Sequence, residues 1–357
     1  MKANHRVRAC RAFTIIELLV VIVILAIVTV IALPSFTSMI YNQEKGLAEN
    51  LLRVGMRAGR DAALRSSGND DAAIVFTYGA NNRLGMYPCV RAGLLPASGS
   101  QVEREVFVPA ADLDPLQMPL GWAVRGFAPA GTIGAGTGWY DDGNGQANRY
   151  DPNEANWVFP ETDFYDAARS DRGVDRQTFM VRFKARTGEL VTSPSRAVLV
   201  VMPRPTYQNR QALPAGSCQA NRLDISPDLL ASVRCILTSN EFDNVQRAML
   251  LGDGSSDTVL AAPVAQFAVY DERKLATALG AEVNRVTRSL YLPVDGGTVR
   301  GPRFVQRVRS ESINRWIIGD TNLDGLVGGS DRGDSPEARL FMIDRYSGVP
   351  RALEVQP

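Results

Sequence analysis

The sequence predicts an α+β protein in which a long N-terminal helix packs on an antiparallel β-sheet within an enlarged body. Three observations lead to this prediction: a nearly unbroken apolar stretch over 13–36, helically spaced apolar residues over 37–68, and many short strand-like segments over 69–357. With 357 residues, 45% of them hydrophobic, the chain can bury a sizeable core.

The first twelve residues form a basic leader. They include Lys2, Arg6, Arg8 and Arg11 but no acidic residue, and His5 is the only histidine of the chain. A body without histidine excludes Ser-His-Asp catalysis, Cys-His catalysis and His-ligated zinc. None of these three arrangements is therefore expected, and we predict that the protein is not an enzyme.

The apolar stretch is long enough to cross a membrane. Every residue from Leu18 to Leu33 is apolar except Thr29, and Phe13–Ile16 extend the span to the ~20 residues that a membrane helix needs. A secretory signal would be shorter and would end at a small-residue cleavage site. Basic residues before the span, without a comparable cluster just after it, predict a single pass with a cytoplasmic N-terminus and an extracytoplasmic body.

The junction between leader and helix carries a specific motif. The residues AFTIIELLVV, from Ala12 to Val21, resemble the processing site of type IV prepilins, with Ala12 where that family usually has glycine. The resemblance implies that an inner-membrane prepilin peptidase removes residues 1–12 and methylates the new amine of Phe13. It also implies a pilin-like fold, a kink at Pro34, and assembly with other pilin or pseudopilin subunits on an inner-membrane platform.

Glu17 is a carboxylate within this apolar stretch. A charge inside hydrocarbon costs roughly 2.5 to 3.5 kcal/mol on insertion scales, so it persists mainly where it finds a partner. The resemblance implies that this partner is the Phe13 amine of a neighbouring subunit. The alternative is a glutamate that reaches the membrane surface on an ordinary signal anchor.

The helix is predicted to continue beyond the membrane as an amphipathic segment. Gly46, Gly55 and Gly59 weaken its helical propensity, and Ser67-Gly68-Asn69 ends it. The predicted buried face consists of Leu47, Leu51, Val54, Ala58 and Ala62.

The end of this helix resembles that of GspH/FimT-like minor pseudopilins. In those proteins an Ala-Arg-x-x-Ala-like segment is followed directly by a strand. Here the segment is Ala58–Ala63 and the strand is Ala72–Tyr78.

The body is predicted to be rich in strands. A Gly, Asn and Asp-rich stretch over 128–156 lacks apolar periodicity and predicts a surface loop insertion. Two short helices are expected at Pro227–Ser232 and Glu241–Leu251. The predicted strands are Ala72–Tyr78, Arg83–Val90, Glu105–Pro109, Thr178–Ala185, Ala197–Met202, Ala265–Tyr270, Ser289–Leu292, Arg303–Val308, Arg315–Ile318 and Arg339–Asp344.

Three cysteines lie in the body, because Cys10 belongs to the leader. If the body is exported, Cys218 and Cys235 could close a disulfide, which would leave Cys89 as a thiol. The alternative is three buried free thiols.

The segment GDTNLDGLVGGSDRGD, over 319–334, has the ligand spacing of a calcium loop. It is similar to the loop of dockerin-type repeats, but only one such loop occurs, so binding to a cohesin is not expected. The alternative is an unoccupied Asp/Gly turn. The predicted single calcium ion would be bound by Asp320, Asn322, Asp324, the backbone carbonyl of Leu326, and Asp331.

The favoured function is a prepilin-like structural subunit of a type II secretion pseudopilus or a type IV pilus, and the size of the body predicts a minor subunit. A binding module for DNA or a secreted substrate is the alternative, supported only by the basic cluster RGPRFVQRVR over 300–309. An anchored hydrolase would need a carboxylate pair such as Asp141 and Asp142 or Asp163 and Asp166, and neither has a motif around it.

Overall fold

The structure is a computed structural model that describes residues 15–66, 68, 70–78, 83–99, 102–128, 156–158, 177–191, 198–202, 218, 229–252, 258–283, 290–293, 305–307, 313, 316–317 and 338–353. The chain forms two units, Met1–Leu47 and Ala48–Pro357, and the first helix contributes residues to both. The helices are α1 (Ile15–Arg65), α2 (Leu229–Thr238), α3 (Asn244–Leu251) and α4 (Glu272–Ala278).

The strands follow α1 and alternate with the shorter helices, which confirms the predicted α+β class with a long N-terminal helix. They are β1 (Ala72–Tyr78), β2 (Leu84–Leu95), β3 (Arg104–Pro109), β4 (Leu116–Gln117), β5 (Trp122–Ala128), β6 (Asn156–Val158), β7 (Gln177–Phe183), β8 (Val198–Val201), β9 (Thr258–Pro263), β10 (Gln266–Asp271), β11 (Glu282–Val283), β12 (Leu290–Pro293), β13 (Val305–Arg307), β14 (Arg339–Ile343) and β15 (Pro350–Ala352).

Six strands close into a barrel in the order β1, β2, β3, β8, β9, β7 and back to β1. The long strand β2 makes closure possible, because its first half pairs with β1 and its second half with β3. The sheet departs from a purely antiparallel arrangement at two pairs, β3 with β8 and β7 with β9, which run parallel. Parallel neighbours need crossover connections, and other strands lie between the two members of each pair in sequence: β4 to β7 between β3 and β8, and β8 between β7 and β9.

The barrel interior is filled by alternate residues of its strands. Small and medium side chains fill a barrel of this size without leaving a channel. The interior cluster consists of Ala73, Val75, Cys89, Phe107, Met180, Val198, Val200, Met202, Val259 and Ala261.

A second sheet is antiparallel, in the order β15, β14, β10, β5, β6. One face carries an apolar cluster that includes Tyr270, Leu275 and Trp316. The β5 residue Gly126 allows the sheet to approach the barrel, because a Cβ atom there would lie 2.6 Å from Cγ of Phe179. Phe179 in turn stacks on Phe76 of β1, with 4.5 Å between ring centroids.

The second half of α1 packs on the barrel through a face lined by small residues. Ideal Cβ atoms would lie 3.0 Å from Sδ of Met86 at Gly55 and 2.6 Å from Cγ1 of Ile74 at Gly59. The helix axis can therefore come close to the strands only because both positions lack a side chain.

The prediction of the buried face of α1 was wrong: the buried positions are shifted by about one residue along the helix from the predicted ones. Leu47 and Val54, expected to be buried, are 52% and 51% exposed. Two of the three glycines expected to weaken the helix, Gly55 and Gly59, lie in the contact, because the absence of a side chain lets the helix approach the sheet. The buried residues of α1 are Ala48, Glu49, Leu52, Gly55, Met56, Gly59 and Ala63.

One predicted strand was also wrong, and others were missed. Trp316 and Ile317, within the predicted strand Arg315–Ile318, are helical. The missed strand β9 is buried at every position, so it lacks the alternation that marks a strand with one exposed face. The missed strand β5 contains Gly126, a residue that is usually depleted in strands.

The helix-packing contact generates a test with a matched control. Gly59→Ala should lower the free energy of unfolding by about 1 to 3 kcal/mol, because the new methyl group overpacks against Ile74. Gly46→Ala, where nothing lies within 4 Å, should leave stability unchanged or raise it by up to about 1 kcal/mol through helix propensity. Denaturant unfolding of the full chain in detergent micelles measures both, and equal stability of the two variants would contradict the contact.

Candidate functional site

The N-terminal part of α1 presents apolar side chains that the protein itself does not cover. From Ile15 to Ile40 the large hydrophobic side chains are between 47% (Val23) and 87% (Ile15) exposed. Among the described residues, α1 is the helix long and apolar enough to cross a membrane. An all-round apolar helix without protein cover requires lipid or other apolar helices around it.

Glu17 lies in the first turn of α1 with an exposed position. It is the only Asp, Glu, Lys or Arg between Phe13 and Gln43. An acidic side chain near a helix N-terminus is favoured by the helix dipole. The predicted processing residues Ala12 and Phe13 lie outside the described residues.

Polar groups within the apolar segment are satisfied locally. The hydroxyl of Thr29 donates to the carbonyl of Leu25 at 2.7 Å, and that of Thr37 donates to the carbonyl of Pro34 at 2.9 Å. Pro34 lies inside α1, which continues on both sides of it. Proline has no N–H, so the carbonyl four residues earlier loses its helical donor at this point.

A network of charged residues lies at one end of the barrel and joins four elements to the segment before β1. Arg182 of β7 donates to Asp71 at 2.8 Å and to Glu105 of β3, while its guanidinium lies 5.3 Å from the ring centroid of Phe107. The network consists of Asp70, Asp71, Arg91, Glu105, Arg182 and Arg234.

Arginines connect the remaining members. Nε of Arg91 lies 2.8 Å from Glu105, and Nη2 of Arg234 on α2 lies 2.7 Å from Asp70. Because Arg182 is only 9% exposed at its side chain, its pairs are poorly screened by solvent. Three cations and three carboxylates thus balance one another where the barrel interior meets its surface.

This arrangement shifts the ionisation of its central pair. Burial raises the pKa of Glu105, but the hydrogen bond and charge of Arg182, followed by those of Arg91, outweigh burial and hold that pKa below its ordinary value. The same contacts raise the pKa of Arg182 against the effect of its own burial. Both groups are therefore charged throughout the neutral pH range.

The C-terminal turns of α1 are held by two hairpin turns. The N–H of Arg186 donates to the carbonyl of Ala63 at 2.9 Å and so caps the helix. Arg60 donates to the carbonyls of Gly188, at 3.3 Å, and Tyr346, at 3.2 Å. One arginine of the helix thus joins turns from the barrel and from the second sheet.

A disulfide links Cys218 to Cys235 of α2, which is the pairing raised as one of two alternatives from the sequence. Cys89 is a free thiol in the barrel interior, and burial raises its pKa. A buried neutral thiol of this kind is unreactive, because the thiolate is the nucleophilic form. It behaves here as a small core residue.

The predicted calcium loop, with Asp320, Asn322, Asp324, Leu326 and Asp331, lies outside the described residues. Within the described ranges no group of three or more His, Cys, Asp or Glu side chains could hold a metal ion. The chain on both sides of the loop is described. Ile317 before it and Ala338 after it belong to the same apolar cluster on the second sheet.

The predicted insertion over 128–156 has ends that are described as well. Ala128 of β5 pairs with Asn156 of β6, so the insertion leaves and re-enters the second sheet at one pair of residues. Residues 129–155, and the carboxylates Asp141 and Asp142 among them, lie outside the described residues.

Sequence reasoning missed the charge network and the helix cap. A partial signal for the network was present, since Arg182 is a charged residue within the mostly apolar strand TFMVRF. No comparable signal marks Arg60, whose partners are 128 and 286 residues away in sequence.

Comparison with known families identifies the N-terminal segment. Residues 7–33 match the family described as the prokaryotic N-terminal methylation motif. This is the prepilin signal of type IV pilin-like proteins, and it covers the junction that includes Ala12, Phe13 and Glu17. Comparisons with curated proteins and with solved structures found no match for the chain.

The motif has direct implications at a coarse level. It implies processing by a prepilin peptidase and assembly with other pilins, and it indicates a structural subunit rather than an enzyme. Together with the exposed apolar helix it is consistent with a single-pass anchor in the inner membrane.

The charge network predicts a defined pH dependence of stability. Because the pKa of Glu105 is lowered in the folded protein, its contribution is complete above the unfolded value of about 4.3 and is lost as the pH falls through the folded value. Glu105→Gln should therefore lower the free energy of unfolding by about 2 kcal/mol at pH 7. The difference from the wild type should shrink progressively as the pH falls below the unfolded value of about 4.3 and through the lowered folded pKa.

Glu189→Gln is the matched control. Glu189 has the same side-chain exposure as Glu105, 27%, but its partner Arg345 is 58% exposed. Its loss at pH 7 should stay below about 1 kcal/mol. Denaturant unfolding between about pH 3 and about pH 7 distinguishes the two variants, and a difference for Glu105→Gln that persisted undiminished at about pH 3 would contradict the ionic role.

Proposed function

We propose that the chain is the precursor of a structural subunit of a type IV pilin-like filament. A prepilin peptidase would cut between Ala12 and Phe13 and methylate the amine of Phe13. The observation that supports this most directly is the methylation motif over 7–33, which is followed by a helix with exposed apolar side chains from Ile15 to Ile40.

Burial of apolar surface would drive assembly of the subunits. The exposed side chains of the N-terminal half of α1 would pack among the same segments of neighbouring subunits, at roughly 25 cal/mol for each Å² of apolar surface buried. This term carries no positional information, because it depends on area alone.

Glu17 would supply the position along the filament. Its charge costs roughly 2.5 to 3.5 kcal/mol in an apolar environment, and the Phe13 amine of a neighbouring subunit would compensate that cost. That amine exists only after the leader is removed, so cleavage would switch the subunit from membrane anchor to filament component.

The distribution of charge and the disulfide support an extracytoplasmic body. The leader is basic, with Lys2 and Arg11 among its charges, and such segments remain on the cytoplasmic side of a membrane. The Cys218–Cys235 disulfide fits an oxidising compartment on the other side. We place the precursor in the inner membrane and the mature subunit in a filament.

We propose further that the protein is a minor subunit, of a type II secretion pseudopilus or of a type IV pilus. Additions to the sheets support this: the pair α2 and α3 outside the barrel, and an insertion that begins at Ala128 and ends at Asn156. Such additions enlarge the body in ways that a densely repeated shaft would need to accommodate at every position.

A single calcium ion is proposed for the loop that contains Asp320, Asn322, Asp324, Leu326 and Asp331. The donor set fits calcium, because every ligand would be a hard oxygen atom. The anchoring of Ile317 and Ala338 in one apolar cluster also supports it, since both ends of the loop are then held by the protein. The ion would stabilise the fold of the C-terminal segment and would take part in no reaction.

The role of Glu17 can be tested in cells that assemble such filaments. Glu17→Ala should still be cut before Phe13, but its incorporation into filaments should be lost, because the amine of the neighbour finds no carboxylate. Thr29→Ala, which removes another polar group from the same helix, should be incorporated normally.

Mass spectrometry of the mature N-terminus and immunodetection in sheared filaments measure processing and incorporation separately. A wild-type chain that keeps residues 1–12 would overturn the proposed function. Normal incorporation of Glu17→Ala would instead remove only the pairing role of the carboxylate.

The calcium proposal has its own test. A free calcium concentration about 100 times Kd stabilises a protein by about 2.7 kcal/mol, so Asp324→Ala should lower Tm in calcium and leave it unchanged in chelator. Asp112→Ala, an exposed carboxylate of the body, serves as control and should behave like the wild type. An equal loss of Tm with and without calcium would count against an ion at this loop.

A further inference from the structure

The helices α2 and α3 form one unit outside the barrel, which we call the helix pair (residues 229–251). Arg247 of α3 donates to the carbonyl of Ile236 at 3.1 Å and to that of Ser239 at 2.6 Å, so it closes the C-terminal end of α2. Phe242, between the two helices, is buried. Because α3 is fastened to α2 in this way, both helices leave the barrel together if α2 undocks.

The helix pair covers part of the outer face of the barrel. α2 lies against β2 and β3, and a Cβ atom at Gly93 of β2 would lie 2.9 Å from Cδ1 of Leu237. Val106 of β3 is directly opposite Gly93 and therefore projects to the same face. Since Val106 is fully buried, undocking of α2 would expose apolar surface of the barrel to solvent.

Three kinds of contact hold the helix pair on the barrel. The ion pair between Arg234 and Asp70 measures 2.7 Å, but the side chains are 42% and 34% exposed, so solvent screens it. The disulfide between Cys218 and Cys235 is the covalent contact. The apolar contact is made by fully buried side chains of α2: Leu229, Val233 and Ile236.

The disulfide has a local effect, because it ties α2 to a nearby point of the body. Cys218 and Cys235 are 17 positions apart, and Cys218 is only 3% exposed. A crosslink stabilises by restricting the open state, and a loop of this length makes opening roughly a hundredfold less favourable. With ten residues, α2 is too short to be stable as an isolated helix. Loss of the crosslink therefore acts first on the docking of the helix pair.

The two sulfur atoms differ in access. Cys218 is buried, whereas Cys235 on α2 is partly exposed. Exchange between thiols and disulfides proceeds by attack of a thiolate on a sulfur atom that it can reach. This difference makes Cys235 the point of entry for a partner, and it leaves Cys218 to resolve the mixed disulfide.

We propose that Cys218 and Cys235 form a redox switch that controls docking of the helix pair. In closing, the thiolate of Cys235 attacks the disulfide of a thiol–disulfide exchange protein, and one thiol of that protein is released. The thiolate of Cys218 then attacks the sulfur of Cys235 in the mixed disulfide and releases the second thiol. Two electrons and the two cysteine protons thus pass to the exchange protein, whose disulfide becomes a dithiol. A dithiol reductant reverses both steps.

The switch goes beyond the proposed filament function and does not rest on it. Cleavage concerns the leader and assembly concerns the exposed half of α1, whereas the switch concerns the outer face of the barrel. A reduced chain would keep this face open, and oxidation would close it. The body would therefore be completed only in an oxidising compartment.

Hydrogen exchange of the full chain in detergent micelles tests the switch. The wild type is compared with and without the reductant tris(2-carboxyethyl)phosphine, and complete reduction is verified by intact mass. After reduction, the amides of α2 and α3 should exchange about a hundredfold faster. The amides of β1 and β7, which the helix pair does not hold, should keep their rates within about twofold.

Two variants serve as matched controls. Cys218→Ser with Cys235→Ser should show the fast exchange of α2 and α3 without reductant, and reductant should cause no further change. Cys89→Ala removes the remaining cysteine of the body and should respond to reductant as the wild type does. The response is then assigned to the disulfide alone.

The point of entry is tested with oxidised glutathione as the probe. Cys218→Ser retains the partly exposed Cys235, and Cys235→Ser retains the buried Cys218. Each variant is incubated with the probe, and the mixed disulfide is measured by intact mass and located by peptide mapping. Modification of Cys235 should be at least about tenfold faster than that of Cys218.

Several results would overturn the proposal. Unchanged exchange of α2 and α3, in the reduced wild type or in the double serine variant, would show that the disulfide does not control docking. An equal acceleration in β1 and β7 would show that it stabilises the body as a whole. Equal rates of glutathione addition would remove the assigned entry point. Cleavage before Phe13, measured on the same variants, reports on the proposed subunit function separately.

Discussion

Close packing of α1 against β1 and β2 is the contact on which the body depends. At Gly55 and Gly59 the helix lacks side chains, and the strands lie where those side chains would be. This brings the carbonyl end of the helix to the hairpin turn at Arg186 and sets Glu49 against Arg339 of the second sheet, at 2.7 Å. A bulkier helix face would separate all three contacts at once, because they share one rigid element.

The charge network has a comparable role at the end of the barrel. A closed barrel has no free edges, but its interior must still be sealed where the strands end. Here Arg182 covers the interior ring of Phe107, while the carboxylates of Asp71 and Glu105 neutralise the charge of Arg182. Arg234 extends the network to α2. The Cys218–Cys235 disulfide links the same helix to a residue that precedes it in the chain. Electrostatic pairing therefore joins α2 to the barrel in addition to the burial of Leu229, Val233 and Ile236 of the same helix.

The two parts of α1 are suited to different surroundings. From Ile15 to Ile40 the side chains are large, apolar and exposed, which suits an environment of lipid or neighbouring helices. From Ala48 to Ala63 the buried face combines alanine and glycine with the larger side chains of Leu52 and Met56, which pack on the sheet. The separation explains how a single helix can carry an assembly motif at one end and a folded body at the other, with each contact optimised for its own surroundings.

The sequence by itself determined the N-terminal motif, the apolar span, the α+β class and most strands of the barrel, including the fully buried β1 and β8. Each of these depends on neighbouring residues, whose composition and spacing are visible along the chain. Only the tertiary structure decided which face of α1 is buried, that the strands close into a barrel with two parallel pairs, and that Arg182 and Arg60 each contact residues distant in sequence. Those features depend on residues up to 290 positions apart. No local pattern records such distances, because closure of the barrel and burial of glycine faces arise only when the whole body packs.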